Sequence, residues 1–88
     1  MTVIILKNGS NKTRGTLSHF MYKIHKNIFV GNISVRVRDR IETDIIRKNN
    51  EIACIIYDSN TESGFSVNNI GEPSVLFDTL GSFLVRHK

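Results

Sequence analysis

The sequence lacks the residues on which several common kinds of site depend. It contains one cysteine, Cys54, which excludes an intramolecular disulfide bond. No C-x-x-C pair and no Cys/His group at metal-ligand spacing points to a zinc site. A Gly-rich nucleotide-binding loop is also missing. Cys54 lies in the apolar run IACIIY, where a buried and unreactive thiol is expected rather than a nucleophile.

Long hydrophobic runs are missing as well. The N-terminal stretch TVIIL is too short for the apolar part of a signal peptide. No later run reaches the roughly 18 apolar residues of a membrane-spanning helix. The sequence therefore predicts a soluble, cytoplasmic protein with no membrane partner. A length of 88 residues predicts one domain, 1–88, whose thin core favours self-association as a homodimer.

Acidic residues are missing from the first 38 positions. These positions hold seven Lys and Arg residues, and all eight acids lie at Asp39 or later. The formal net charge of the chain is +4. Because a solvated surface normally mixes charges of both signs, this half of the chain favours a polyanionic partner such as nucleic acid. The alternative is a basic surface that serves only solubility.

The hydrophobic pattern predicts an α+β fold. TVIILK is typical of a buried strand. An amphipathic helix is predicted to start near Thr13 or Arg14, because apolar residues follow at steps of three and four: Leu17, Phe20, Met21, Ile24 and Ile28. IFVGNISV predicts a short strand and a turn. A second helix is predicted from an N-cap at Ser34 to the Asn49–Asn50 pair.

The rest of the pattern completes one small sheet. EIACIIYD and FSVNNI predict two strands of a hairpin, and residues 75–88 form an apolar, extended tail. Two helices on one face of a small antiparallel sheet, with an extra C-terminal strand, predict a ferredoxin-like sandwich. The tail is interpreted either as a docking strand for a partner or as an ordinary edge strand.

Both predicted helices begin with basic residues. In SVRVRDR, Arg36 and Arg38 occupy the first turns of the second helix, where the helix dipole disfavours cations. Lys12 and Arg14 repeat this arrangement at the first helix. A bound phosphate would favour arginine at such positions. Since aromatic residues are few, contacts to a duplex backbone are a better hypothesis than base stacking. Solvated surface charge is the alternative.

Three motifs, in this order, resemble a known family. They are KTRG after an apolar first strand, FVGNIS before a basic helix start, and SNTESGF at a hairpin. Together they resemble the second, smaller core CRISPR-associated adaptation protein, in its type I-E branch. The resemblance extends from about Val3 to Gly71.

The resemblance implies a ferredoxin-like homodimer that bridges dimers of the CRISPR integrase subunit while short DNA duplexes are inserted into the array. In that branch the small subunit is a scaffold that grips duplex DNA. Lys12 and Arg14 match basic positions of this grip, Arg36 and Arg38 match positions near it, and His25 falls where a basic residue can occur. The family's C-terminal region docks on the integrase subunit, which implies docking by five apolar residues of the tail: Val75, Phe77, Leu80, Phe83 and Val85.

One departure bears on catalysis. Family members that act as metal-dependent endoribonucleases use an acid at the end of the first strand, and this chain has Lys7 there. No catalytic residue, metal ligand or cofactor is therefore assigned. The alternative function is a small metal-dependent endonuclease acting on RNA or duplex DNA, for which the candidate carboxylates are Asp58, Glu62, Glu72 and Asp78. A generic RNA-binding module is a further alternative, although its aromatic sheet signature is missing.

Overall fold

The first strand, β1 (Thr2–Lys7), lies at the centre of a five-stranded antiparallel sheet in the computed structural model, which describes residues 1–71. It pairs with β3 (Ile28–Gly31) on one side and with β4 (Ile52–Asp58) on the other. Among residues 1–71, β2 (Tyr22–His25) and β5 (Phe65–Ile70) form the two edges, so the order is β2-β3-β1-β4-β5. The predicted hairpin of β4 and β5 is confirmed.

Two helical segments cover one face of this sheet. They are α1 (Asn11–Leu17) and α2 (Val35–Arg40), and α2 continues directly into a π-helix (Ile41–Arg47). The core between helices and sheet contains Leu17, Ile41 and Ile46 packed against Ile4, Leu6, Phe29 and Ile55. This element order and sheet topology confirm the predicted ferredoxin-like α+β sandwich. The expected C-terminal strand and the docking residues Val75 to Val85 lie outside the described residues.

The predicted length of the first helix was wrong. α1 ends at Leu17, and the apolar stripe assigned to it continues through a turn into the β2–β3 hairpin. Leu17, Met21 and Ile28 are buried, whereas Phe20 and Ile24 are 49% and 65% exposed. The hairpin prevails because β3 pairs with both β2 and β1, and Asn27 also accepts a hydrogen bond from the Leu6 amide at 2.8 Å.

The predicted start and end of the second helix are confirmed. The Ser34 hydroxyl accepts a hydrogen bond from the Val37 amide at 3.2 Å, as expected of an N-cap. At the other end Asn50 has a φ of 54°, a left-handed conformation that asparagine tolerates well after a helix. What the sequence did not reveal is that the C-terminal half, Ile41–Arg47, is a π-helix.

Two residues five positions apart pair with each other along the π-helix. Glu42 accepts a hydrogen bond from Nε of Arg47 at 3.0 Å, and the Asn68 amide of β5 donates to the other carboxylate oxygen at 2.7 Å. In an α-helix, side chains at i and i+5 point in different directions, whereas the wider turn of a π-helix brings them together. The Glu42 carboxylate thus ties the helix to the edge strand β5.

A second carboxylate joins α1 to the loop before β4. Glu51 accepts hydrogen bonds from the Ser10 amide at 3.2 Å, the Ser10 hydroxyl at 2.7 Å and the Thr13 hydroxyl at 2.5 Å. Thr13 is fully buried and also accepts from the Asn49 side chain. Burial alone raises the pKa of Glu51, but the hydrogen bonds from Thr13 and Ser10 and the charge of Arg14 together lower the pKa below its ordinary value.

We expect Glu51→Gln to lower the free energy of unfolding at neutral pH by about 1 kcal/mol, since the carboxylate is partly exposed. A lowered pKa means that the ionised form stabilises the fold. This contribution is present above the ordinary Glu value of about 4.3 and is lost as the pH falls through the lower folded value. The difference between wild type and Glu51→Gln, measured by urea unfolding, should therefore shrink on acidification. Glu62→Gln, in an exposed turn, is the matched control. A difference that stays constant into strong acid would contradict this role.

Candidate nucleic-acid interface

The arginines at the start of α2 differ in what holds their guanidinium groups. Arg36 is exposed beside Val35 and Asp39 on the outer surface of the helix. Neither Arg36 nor Arg38 donates to a carboxylate or carbonyl oxygen of residues 1–71. Arg40 is instead 3.5 Å from the Asp44 carboxylate. The described chain therefore leaves the hydrogen-bond donors of Arg36 and Arg38 available to an external anion.

Arg38 is held by an aromatic ring rather than by an acid. Its Cζ lies 3.6 Å from the ring centroid of Tyr57, near the end of β4. Both side chains are half-buried, and Tyr57 also packs against the main core. The N–H groups of a guanidinium stacked in this way lie in its own plane, parallel to the ring. They can therefore donate to acceptors beyond the edge of the ring.

The basic residues at the start of α1 have a different environment. Arg14 donates to the Gly9 carbonyl and to the Asn11 side chain, so it closes the turn between β1 and α1. Lys12 is exposed on the first turn of α1. The Ser10 hydroxyl accepts from the Thr13 amide, and the Glu51 carboxylate binds Ser10 itself. An acid of the chain thus occupies the place where the sequence suggested a phosphate, and Lys12 and Arg14 as phosphate ligands stay a prediction.

The two basic helix starts lie at opposite ends of the sheet. α1 follows Lys7, the last residue of β1, which registers with Ile52. α2 follows β3, whose last residue Gly31 registers with Thr2, as does Tyr57. The five residue steps from Thr2 to Lys7 separate these ends by about 17 Å. The structure therefore does not bring the two basic groups together at one point.

His25 lies on neither helix. It is on the edge strand β2 and lines a shallow apolar depression with Ile5, Ile28 and Ile56, on the sheet face opposite the helices. Its assignment to the first helix was wrong, because the chain forms the β2–β3 hairpin there. Its role in nucleic-acid binding stays a prediction.

The sheet face opposite the helices is apolar. Ile5, Ile28 and Cys54 form a second, smaller core cluster there, with Val3, Ile52 and Ile56 packed against it. Burial raises the pKa of the Cys54 thiol, which agrees with the expected unreactive cysteine. Ile24, which lines the depression on this face, is 65% exposed. No helix of residues 1–71 covers this side of the sheet.

Comparison with known families identifies the chain. Residues 1–83 match the family model described as CRISPR-associated protein (Cas_Cas2CT1978). The chain belongs to this CRISPR-associated family. No curated protein matches the sequence. Within residues 1–71, no helix is both long and apolar enough to cross a membrane.

The described residues do not fit the metal site implied by the resemblance. Lys7 places an ammonium group at the end of β1, where metal-dependent members use an acid. Among residues 1–71, no three His, Cys, Asp or Glu side chains come close enough to hold a metal ion. Asp58 pairs with the N-terminal ammonium of Met1, at the opposite end of the sheet from Lys7.

We expect the purified protein to show no chelator-sensitive cleavage of labelled RNA or duplex DNA with magnesium or manganese around neutral pH. A metal-dependent phosphodiesterase needs a divalent ion beside the scissile phosphate, and a lysine ammonium offers no lone pair with which to bind one. The measurement is a gel-based cleavage assay with and without chelator. Cleavage that co-purifies with the protein and disappears in Asp58→Asn would contradict the expectation.

Proposed function

We propose that this CRISPR-associated protein is a non-catalytic, DNA-binding scaffold subunit of a spacer-acquisition complex of the type I-E branch. In this function a homodimer grips the backbone of a DNA duplex and docks on the CRISPR integrase subunit. The observation that carries the proposal is the pair Arg36 and Arg38 at the start of α2, whose donors have no carboxylate or carbonyl partner in the described chain. Arginine is well suited to bind phosphate oxygens because its planar fork donates two parallel hydrogen bonds.

The position of the basic groups favours contacts to a backbone over recognition of bases. Lys12 and Arg36 lie at opposite ends of the helix layer, about 17 Å apart along the sheet. This separation corresponds to about five base-pair steps of about 3.4 Å, which is about half a turn of B-DNA, so phosphates of the two opposite strands face the two ends. One duplex lying along the helix layer can therefore reach both ends. Contacts of this kind position a duplex without reading its sequence.

Exposed apolar side chains on the sheet face opposite the helices support self-association. The centre of this face, around Ile5, Ile28 and Cys54, is buried, and no helix of residues 1–71 lies over it. Tyr22 and Ile24 of β2, 82% and 65% exposed, extend the patch toward the sheet edge. A second copy of the chain presents an equivalent apolar face, which a symmetric interface requires. Two copies would carry a formal charge of +8, twice the +4 of one chain.

Docking on the integrase subunit is assigned to the segment 75–88. Its apolar residues from Val75 to Val85 are unsuited to a solvated end, and an extended apolar segment readily pairs with a strand of another chain. The metal-dependent endonuclease remains the alternative function, and no arrangement of the described side chains favours it.

We expect static light scattering at micromolar concentration to give a mass about twice the 10.0 kDa of one chain. Ile24→Asp should give a monomer, because it places a charge at an exposed position on the sheet face opposite the helices, outside the core of a single chain. Val35→Asp is the matched control, since Val35 is similarly exposed but lies on the helix side. A wild-type protein that runs as a clean monomer at this concentration would refute the dimer.

We expect Arg36→Gln to weaken binding of unrelated duplex sequences by the same factor, because the contact is to phosphate. The slope of log affinity against log salt should fall by about one for each phosphate contact removed. Fluorescence anisotropy with and without the integrase subunit provides the measurement. Arg47→Gln is the control, since its guanidinium is held by Glu42. Loss of affinity for one sequence only, or unchanged affinity, would count against a backbone grip.

A further inference from the structure

We infer that Tyr57 is a positioning residue that holds the Arg38 guanidinium for a phosphate of the duplex backbone. The inference rests on the proposed function and assigns to β4 a part that neither the charge pattern nor the family match indicates. Its basis is the 3.6 Å between Arg38 Cζ and the Tyr57 ring centroid. Tyr57 makes no direct contact with the nucleic acid in this role.

The ring is a rigid support. Tyr57 lies on β4, which is paired on both sides, with Thr2 of β1 and Ser66 of β5 as its neighbours in register. The side chain packs against the main hydrophobic core. The position of a guanidinium that rests on this ring is therefore fixed by the sheet as well as by the short helix that carries the arginine.

The contact restricts Arg38 without using its donors. Stacking engages the face of the guanidinium, while all five N–H groups lie in its plane. The other arginines held within the described chain are fixed through those donors, as Arg14 is by the Gly9 carbonyl and Arg47 by the Glu42 carboxylate. Arg38 is thus the arginine of residues 1–71 that is ordered by a ring and keeps its hydrogen-bonding capacity.

Such an arrangement strengthens phosphate binding by lowering the entropy lost on binding. A free arginine side chain must be immobilised when it pairs with a phosphate, and this loss weakens the complex. Arg36, exposed on the same helix and without a ring contact, loses this freedom in full. The two neighbouring arginines therefore differ in pre-organisation, which provides an internal comparison.

The test measures duplex affinity of the full chain by fluorescence anisotropy, using blunt DNA of random sequence at several salt concentrations. Tyr57→Phe should bind like wild type because the aromatic face is kept. Tyr57→Leu should weaken binding about two- to fivefold, the range expected for an exposed cation–π contact. In a protein that already carries Arg38→Gln, Tyr57→Leu should cause no further loss of duplex affinity. Thermal unfolding of each variant checks that the fold is retained.

A comparison of Arg-to-Lys variants tests the same point without changing Tyr57. Arg38→Lys should lose more affinity than Arg36→Lys, since only at position 38 does the substitution remove a guanidinium stacked on a ring. Equal losses would overturn the inference. So would a Tyr57→Leu effect that adds fully to that of Arg38→Gln, or a folded Tyr57→Leu protein that binds like wild type.

The failure of the inference is distinguishable from the failure of the proposed function. If Arg36→Gln and Arg38→Gln weaken binding while Tyr57→Leu does not, the backbone grip stands and the positioning role is wrong. If neither arginine substitution changes affinity, the grip itself is wrong and the inference falls with it.

Discussion

The pairing of β1 with both β3 and β4 is the constraint on which the rest of this structure depends. β1 is central, and its buried residues reach both faces of the sheet: Ile4 and Leu6 toward the helices, and Ile5 toward the opposite face. Because β1 and β3 run in opposite directions, the helices that follow them start at opposite ends of the sheet. The distribution of basic residues over the surface is a direct consequence of this strand pairing.

Much of the fold could be predicted from the sequence because several signals agree with each other. Local sequence and tertiary structure favour the same element in three places: the strand TVIILK, the helix start at Ser34, and the hairpin of EIACIIYD with FSVNNI. The stretch from Leu17 to Ile28 is different. Its apolar spacing fits a helix, but the pairing of β2 with β3 satisfies the backbone in another way, and periodicity does not reveal a competing strand partner.

The candidate site could be predicted in composition but not in geometry. The one-signed first half of the chain and the stretch SVRVRDR are enough to indicate Arg36 and Arg38. They do not indicate Tyr57 or Glu51, since each acts on a residue distant in sequence: Tyr57 on Arg38, and Glu51 on Ser10 and Thr13. The placement of Tyr57 follows from the register that sets it opposite Thr2, and a register is fixed by the whole sheet.

The two faces of the sheet suit two different kinds of contact. The helix face carries the arginines, and the buried layer that contains Ile4, Phe29 and Ile55 separates it from the opposite face of the sheet. If a second copy packs against the face opposite the helices, both helix layers remain on the outside with their charges exposed to solvent. Self-association through one face then brings the basic surfaces of two chains into one body without desolvating any of their charges, which avoids the large cost of burying unpaired cations.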